Sequence, residues 1–230
     1  MKKILAILLT AILVLGLTAC GNDSDVRGTV EDEGRTKRTT QAEQTTDEEL
    51  DEDFEIGTST GSVYKNEFLG ITATFGDEWH LYSDEECQEL NEQVIGMLSD
   101  DYAEQMKNAN YFYDMMAAIE DKGYSINIVL QNMGLQAAGT DVKKSLKQGC
   151  EETKKGYENM GYTDVDYEII KTQFLGKEYD GAMITSQING IGFYTKQVVY
   201  MKGKYAVSIT ACTLGENECD DLLDMFTALE

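Results

Sequence analysis

The chain has 230 residues, of which 42 are Asp or Glu, 19 are Lys or Arg and one is His, giving a formal charge of −23. Phosphate backbones and anionic head groups repel a chain of that charge, so neither nucleic acid nor an anionic lipid surface is a plausible ligand. A single His excludes His-rich metal sites and leaves any Ser or Cys nucleophile only one imidazole base.

The first residues read as an address. Met1-Lys2-Lys3 is a short positive n-region, and Ile4 to Gly16 follows as a mostly apolar run. That run is too short to span a bilayer core, which needs about 20 residues, and it fits the h-region of a secretory signal peptide. The next four residues, Leu17-Thr18-Ala19-Cys20, resemble the bacterial lipobox, in which the Cys is lipidated and the chain is cleaved before it. The resemblance implies a signal peptide over residues 1–19 and a mature protein that starts at Cys20. Acyl chains on Cys20 would then anchor the protein to the extracytoplasmic face of the cell membrane without spanning it.

From Gly21 to Ser62 the composition changes to Thr, Asp and Glu, with 13 acids, 4 bases and almost no aliphatics. Such a stretch buries too little surface to offset its ordering entropy, so residues 20–62 are expected to be the lipidated Cys and a disordered acidic tether. Flexible-chain scaling gives the tether a span of about 35 Å. The run Asp47 to Glu55 lacks the Asp/Asn alternation and central Gly of an EF-hand loop and reads as a solvated charge run.

Residues 63–230 read as a single α+β domain. Val63-Tyr64, Ile71 to Phe75 and Trp79 to Tyr82 are strand-like. Ser83 with Glu86 three residues on forms a capping box, and Cys87, Leu90, Val94 and Leu98 give the helix behind it one apolar stripe. A short helix capped by Ser99 follows. Phe112 to Ile119 and Tyr124 to Gln131 make a hairpin around Glu120-Asp121-Lys122-Gly123, and a long helix runs from about Asp141 to Met160 with Gly161 as its left-handed cap. Four strands follow, Val165 to Phe174, Glu178 to Gln187, Ile191 to Met201 and Tyr205 to Leu214, with Asn189-Gly190 as a type I′ turn. Cys219, Leu222, Leu223 and Phe226 have the spacing of a closing helix. Tight turns make the strands antiparallel, and one-striped helices must pack on the sheet. The expected architecture is one antiparallel sheet of about seven to nine strands with three or four helices.

Several of these stretches together are similar to small Gram-positive lipoproteins. They are Tyr64 with Asn66-Glu67-Phe68-Leu69-Gly70-Ile71, Trp79, Ser83-Asp84-Glu85-Glu86, Tyr113 with Ile126 to Leu130, Gly161-Tyr162 and Gly176-Lys177-Glu178-Tyr179. The domain of those lipoproteins is Mog1/PsbP/DcrB-like. Gly76-Asp77-Glu78-Trp79 stands where such sequences often carry Pro-Glu-Gly-Trp. The resemblance implies a non-catalytic accessory or partner-binding domain and carries no functional residues across.

Little in the sequence points to chemistry. His80 beside Trp79 is the only imidazole, no G-x-S-x-G elbow or phosphate loop occurs, and Gly190-Ile191-Gly192 lies in a hairpin. Cys87, Cys150, Cys212 and Cys219 form no C-x-x-C. They read as buried thiols, with Cys212–Cys219 the one bridge to check. Trp79, Tyr194 and Tyr200 are candidate ligand-facing aromatics, against the plainer reading of cross-strand packing pairs. The expected function is a membrane-anchored binding module for an envelope protein or ligand, with no catalytic residue, metal or cofactor. The alternative is an envelope hydrolase using carboxylates or His80.

Overall fold

The computed structural model describes residues 54–95, Glu104 and residues 111–229. The expected signal peptide, the lipobox-like residues Leu17 to Cys20, the helix expected after Ser99 and most of the expected tether lie outside these residues.

Seven strands form the main sheet: β4 (His80–Leu81), β5 (Tyr111–Ile119), β6 (Tyr124–Asn132), β7 (Thr163–Phe174), β8 (Lys177–Ile188), β9 (Ile191–Lys202) and β10 (Tyr205–Leu214). Their order is β4-β5-β6-β10-β9-β8-β7, antiparallel throughout. The hairpin β5-β6 and the meander β7 to β10 thus meet where β10 pairs with β6. The turns follow the sequence signals. Asn189 and Gly190 both have positive φ, 54° and 77°, as a type I′ turn requires, and Gly123 has φ 70°.

The strands before β4 do not join this sheet. β1 (Thr58–Thr60), β2 (Val63–Asn66), β3 (Ile71–Thr74) and β11 (Phe226–Ala228) form a separate four-stranded antiparallel sheet in that order. Two expectations are corrected here. The domain does not begin at residue 63: β1 pairs with β2, and Phe54 stacks on Tyr205, so residues 54–62 belong to the folded unit. The closing helix is also shorter than its apolar spacing implied. It ends at Leu223, and Phe226 starts β11, whose backbone pairs with β3.

The molecule has three layers. On one face of the main sheet, α1 (Asp84–Ile95) and α2 (Val142–Asn159) pack through Cys87, Leu90, Leu146, Cys150 and Tyr157. On the other, the small sheet and α3 (Cys219–Leu223) pack Tyr64, Ile71, Phe75 and Leu222 onto Ile126, Ile128, Leu130, Val207 and Ile209. With both faces covered, the polar alternates of β6 are buried too: Ser125, Asn127 and Gln131 face the helix layer beside Gln197, Ser208 and Thr210. The Gln197 amide donates to Thr210 Oγ1 at 3.3 Å, so a polar stripe runs through that core.

The helix ends follow local rules. Ser83 N–H donates to Glu86 Oε2 at 2.8 Å and Glu86 N–H donates to Ser83 Oγ at 3.3 Å, a reciprocal capping box. At the end of α2, Tyr162 N–H donates to Tyr157 O and Gly161 N–H to Glu158 O, both at 3.0 Å, with Gly161 at φ 86°. This is a Schellman motif, and its apolar contact is the Tyr157–Tyr162 stack at 5.0 Å. No helix among the described residues is long and apolar enough to cross a membrane.

Candidate functional site: the open edge of β5

β5 changes character along its length. Tyr111, Phe112 and Tyr113 are half-buried, whereas the six residues from Asp114 to Ile119 are buried. On the side away from β6, β5 is paired by β4 only through Ala117 and Ala118, extended by Tyr82 N–H donating to Met116 O at 2.9 Å. No described strand pairs with Tyr111–Met115 on that side.

A cleft of about 300 Å³ lies along this edge, between α1 and the segment that precedes β1. Tyr111, Phe112 and Tyr113 all line it, with Cys87, Gln88 and Asn91 of α1 and Ile56 opposite. Successive strand residues point to opposite faces, so a cavity touched by three in a row wraps the strand's edge. The packing agrees, since Tyr111 and Tyr113 join the helix-side core and Phe112 the small-sheet side.

The polar groups of the cleft are few. Tyr111 O–H donates to Asn91 Oδ1 at 2.7 Å, fixing α1 against β5. The buried Tyr113 hydroxyl has no hydrogen-bond partner among the described residues. Asp84 brings a carboxylate from the first turn of α1, which also carries Glu85 and Glu86. The Cys87 thiol is pushed up to about 11, first by burial and then by Asp84 and Glu86, and stays protonated. The arrangement therefore offers ring faces, one carboxylate, two side-chain amides and a strand edge, which are groups that bind.

Asp114 holds the wall of the cleft in place. It sits at a β-bulge where the β5–β6 register shifts. Its carboxylate accepts from Gly57 N–H at 2.7 Å, from Asn66 Nδ2 at 2.8 Å and from the Tyr64 hydroxyl. Burial pushes its pKa above the usual carboxylate range, and the bonds from Tyr64, Gly57 and Asn66 pull it partly back. The Tyr64 hydroxyl is held well above its ordinary range by burial and by the Asp114 charge, so it stays a donor. Gly57 is required: a Cβ there would lie 2.5 Å from Tyr64 Cε2 and 2.8 Å from Asp114 Oδ2.

The residues singled out from sequence lie elsewhere. Trp79 packs edge-on against Phe75 at 5.4 Å, and Tyr200 lies against Tyr179 at 4.8 Å. Tyr194 and Tyr200 are partly buried on the small-sheet side, and none of the three lines the cleft. His80 is half-exposed on the short β4, 3.0 Å from Glu86 and edge-on to Tyr82. The four described cysteines are free and buried. Cys212 belongs to the helix-side core and Cys219 to the opposite one, so the sheet separates the pair that merited checking. The sequence signal for the cleft was Tyr111-Phe112-Tyr113 itself, three aromatics in a row where a half-buried strand would alternate.

No family model matches the chain, and no curated protein matches it. Among solved structures it is similar to LpqN, described as involved in cell envelope biogenesis of Mycobacterium tuberculosis. The identity is 11% and the TM-score 0.34, over 70% of this chain and 83% of that one.

Proposed function

We propose that the protein is a lipid-anchored extracytoplasmic binding module without catalysis, and that the cleft at the open edge of β5 is its site. The observation that carries this reading is the cleft itself: an aromatic-lined cavity of about 300 Å³ with one carboxylate, Asp84, and the side-chain amides of Gln88 and Asn91 in its lining. That size and mix, mainly apolar with a few polar groups, is the usual make-up of a ligand pocket. Membrane attachment rests on Leu17 to Cys20.

The hydrolase alternative draws no support from the geometry. His80 is half-exposed with a single carboxylate, Glu86, against it, and it lies outside the cleft. Among the described residues the cleft is lined by one carboxylate, Asp84, and by the protonated Cys87 thiol, with no second acid to pair with either. General acid–base chemistry needs a base within reach of the group it deprotonates, and no imidazole lines the cleft.

Two experiments test the proposal. Replacing Cys20 with Ala should block lipid attachment and leave the precursor unprocessed; normal processing and unchanged membrane association would overturn the anchor. A small-molecule screen by NMR on the chain from Gly21 onward should find ligands that shift Tyr111 and Tyr113, and Gln88→Trp should abolish those shifts. Ligands that bind Gln88→Trp equally well would place the site elsewhere.

A further inference from the structure

We infer that the cleft takes an extended basic peptide, which adds to the open edge of β5 as a strand. This rests on the reading of the cleft as a binding site and names the class of its ligand. Three observations carry it. First, the cleft follows a strand edge: three consecutive residues line it, and no described strand pairs with Tyr111–Met115 on that side. An unpaired edge displays backbone N–H and C=O groups at strand spacing, and pairing with another extended chain is what that array is built for. Second, the edge is flanked and not covered. Among the described residues α1 stands on one side of it and Ile56 on the other, and Ile56 is 59% exposed, so a strand laid between them gains apolar contact from Ile56 and polar contact from α1.

Third, the charge is one-sided. α1 carries five acids and no base over Asp84–Ile95, and Asp84 reaches the cleft. Among the described residues Asp84 is the charged group in the lining and no base lies beside it, so a Lys or Arg on the incoming strand is matched there while its alternate side chains fall to the aromatic residues.

The test uses the chain from Gly21 onward and a pool of capped hexapeptides with Lys or Arg at alternate positions and Val, Thr, Leu or Tyr between. Binding peptides should slow amide exchange at β5 residues 111–115, and Gln88→Trp should remove that protection. Methylating the alternate backbone nitrogens that face β5 takes away a binder's donors and should weaken it about tenfold or more. Peptides that bind without protecting those amides, or that tolerate N-methylation, would overturn strand addition. If a small aromatic amine such as phenethylamine binds the cleft and no peptide does, the binding-site reading stands and the peptide inference falls. If neither binds, both fall.

Discussion

The ring of Phe54 lies face to face with that of Tyr205, centroids 4.2 Å apart and planes 9° from parallel. Phe54 also meets Phe68 and Phe112 edge-on at 5.2 and 5.6 Å, so one residue at the start of the described chain joins both sheets to the floor of the cleft. Two residues on, Ile56 forms the opposite wall. The aromatic contact thus ties the N-terminal segment to the cleft.

Removing that contact should therefore cost stability. Phe54→Ala takes away a half-buried ring with three aromatic neighbours and should lower unfolding stability by about 2 kcal/mol. A chain that starts at Ser62 also loses β1 and the Gly57 bond, and it should unfold at a clearly lower urea concentration than a chain that starts at Gly21. Coincident urea curves for the two chains would show that residues 54–61 contribute nothing.

Asp114 gives a second expectation. Asp114→Ala leaves the Tyr64 hydroxyl, the Asn66 amide and the Gly57 N–H without their acceptor, at a cost of roughly 3–5 kcal/mol for a buried charged hydrogen-bonding group. The pH dependence has a definite sign. The folded pKa is raised, so this group's stabilising contribution is complete below the unfolded value near 3.9 and is lost as pH rises through the folded one. The penalty of Asp114→Asn, which cannot titrate, should grow as pH falls from neutral toward 4. Urea unfolding of both proteins across that range measures it.

The capping box gives a third. Glu86 is held below the usual carboxylate range, chiefly by its bonds from the Ser83 backbone and hydroxyl and less by His80. A lowered folded pKa stabilises above the unfolded value near 4.3, and the benefit fades as pH falls through the folded one. Ser83→Ala should cost about 1 kcal/mol and move Glu86 toward its ordinary value, and His80→Ala should move it less. Side-chain carboxyl NMR titration reads both shifts.

A fourth concerns the thiols. Burial pushes Cys87 and Cys219 up to about 11 and Cys150 up to about 12, and it holds Cys212 well above the ordinary thiol range. Thiolate is the reactive form, so the folded chain from Gly21 should react very slowly with a disulfide reagent at pH 8 and release all four thiols on unfolding. Rapid labelling of one native Cys would mark a site that opens locally.

These expectations also show what the sequence could tell. Turns and caps were legible because the interactions that make them are local. Asn189-Gly190 needed two left-handed residues, Ser83 needed Glu86 three positions on, and Gly161 needed only the last turn of α2. Phe226 was misread because its spacing from Cys219, Leu222 and Leu223 suits a helix equally well, and the pairing with Ala73 that decides for a strand comes from far away in sequence. β1 was missed for the same reason: its three residues are exposed, and it is a strand only because β2 accepts it. The cleft lay hidden because whether a strand edge stays open depends on which other strands arrive.

The placement of β10 has a consequence for how the chain acquires its structure. The last long strand in sequence is the middle one of the main sheet, and β11, later still, completes the small sheet. A chain emerging from its N-terminus can make the β5–β6 hairpin early, but the other edge of β6 then waits for residues 205–214. The meander from β7 likewise has nothing to join until that strand appears. Long-range pairing of this kind is slow, and it leaves apolar strand edges bare in the interval. Neither sheet can therefore be completed until the C-terminal strands have emerged.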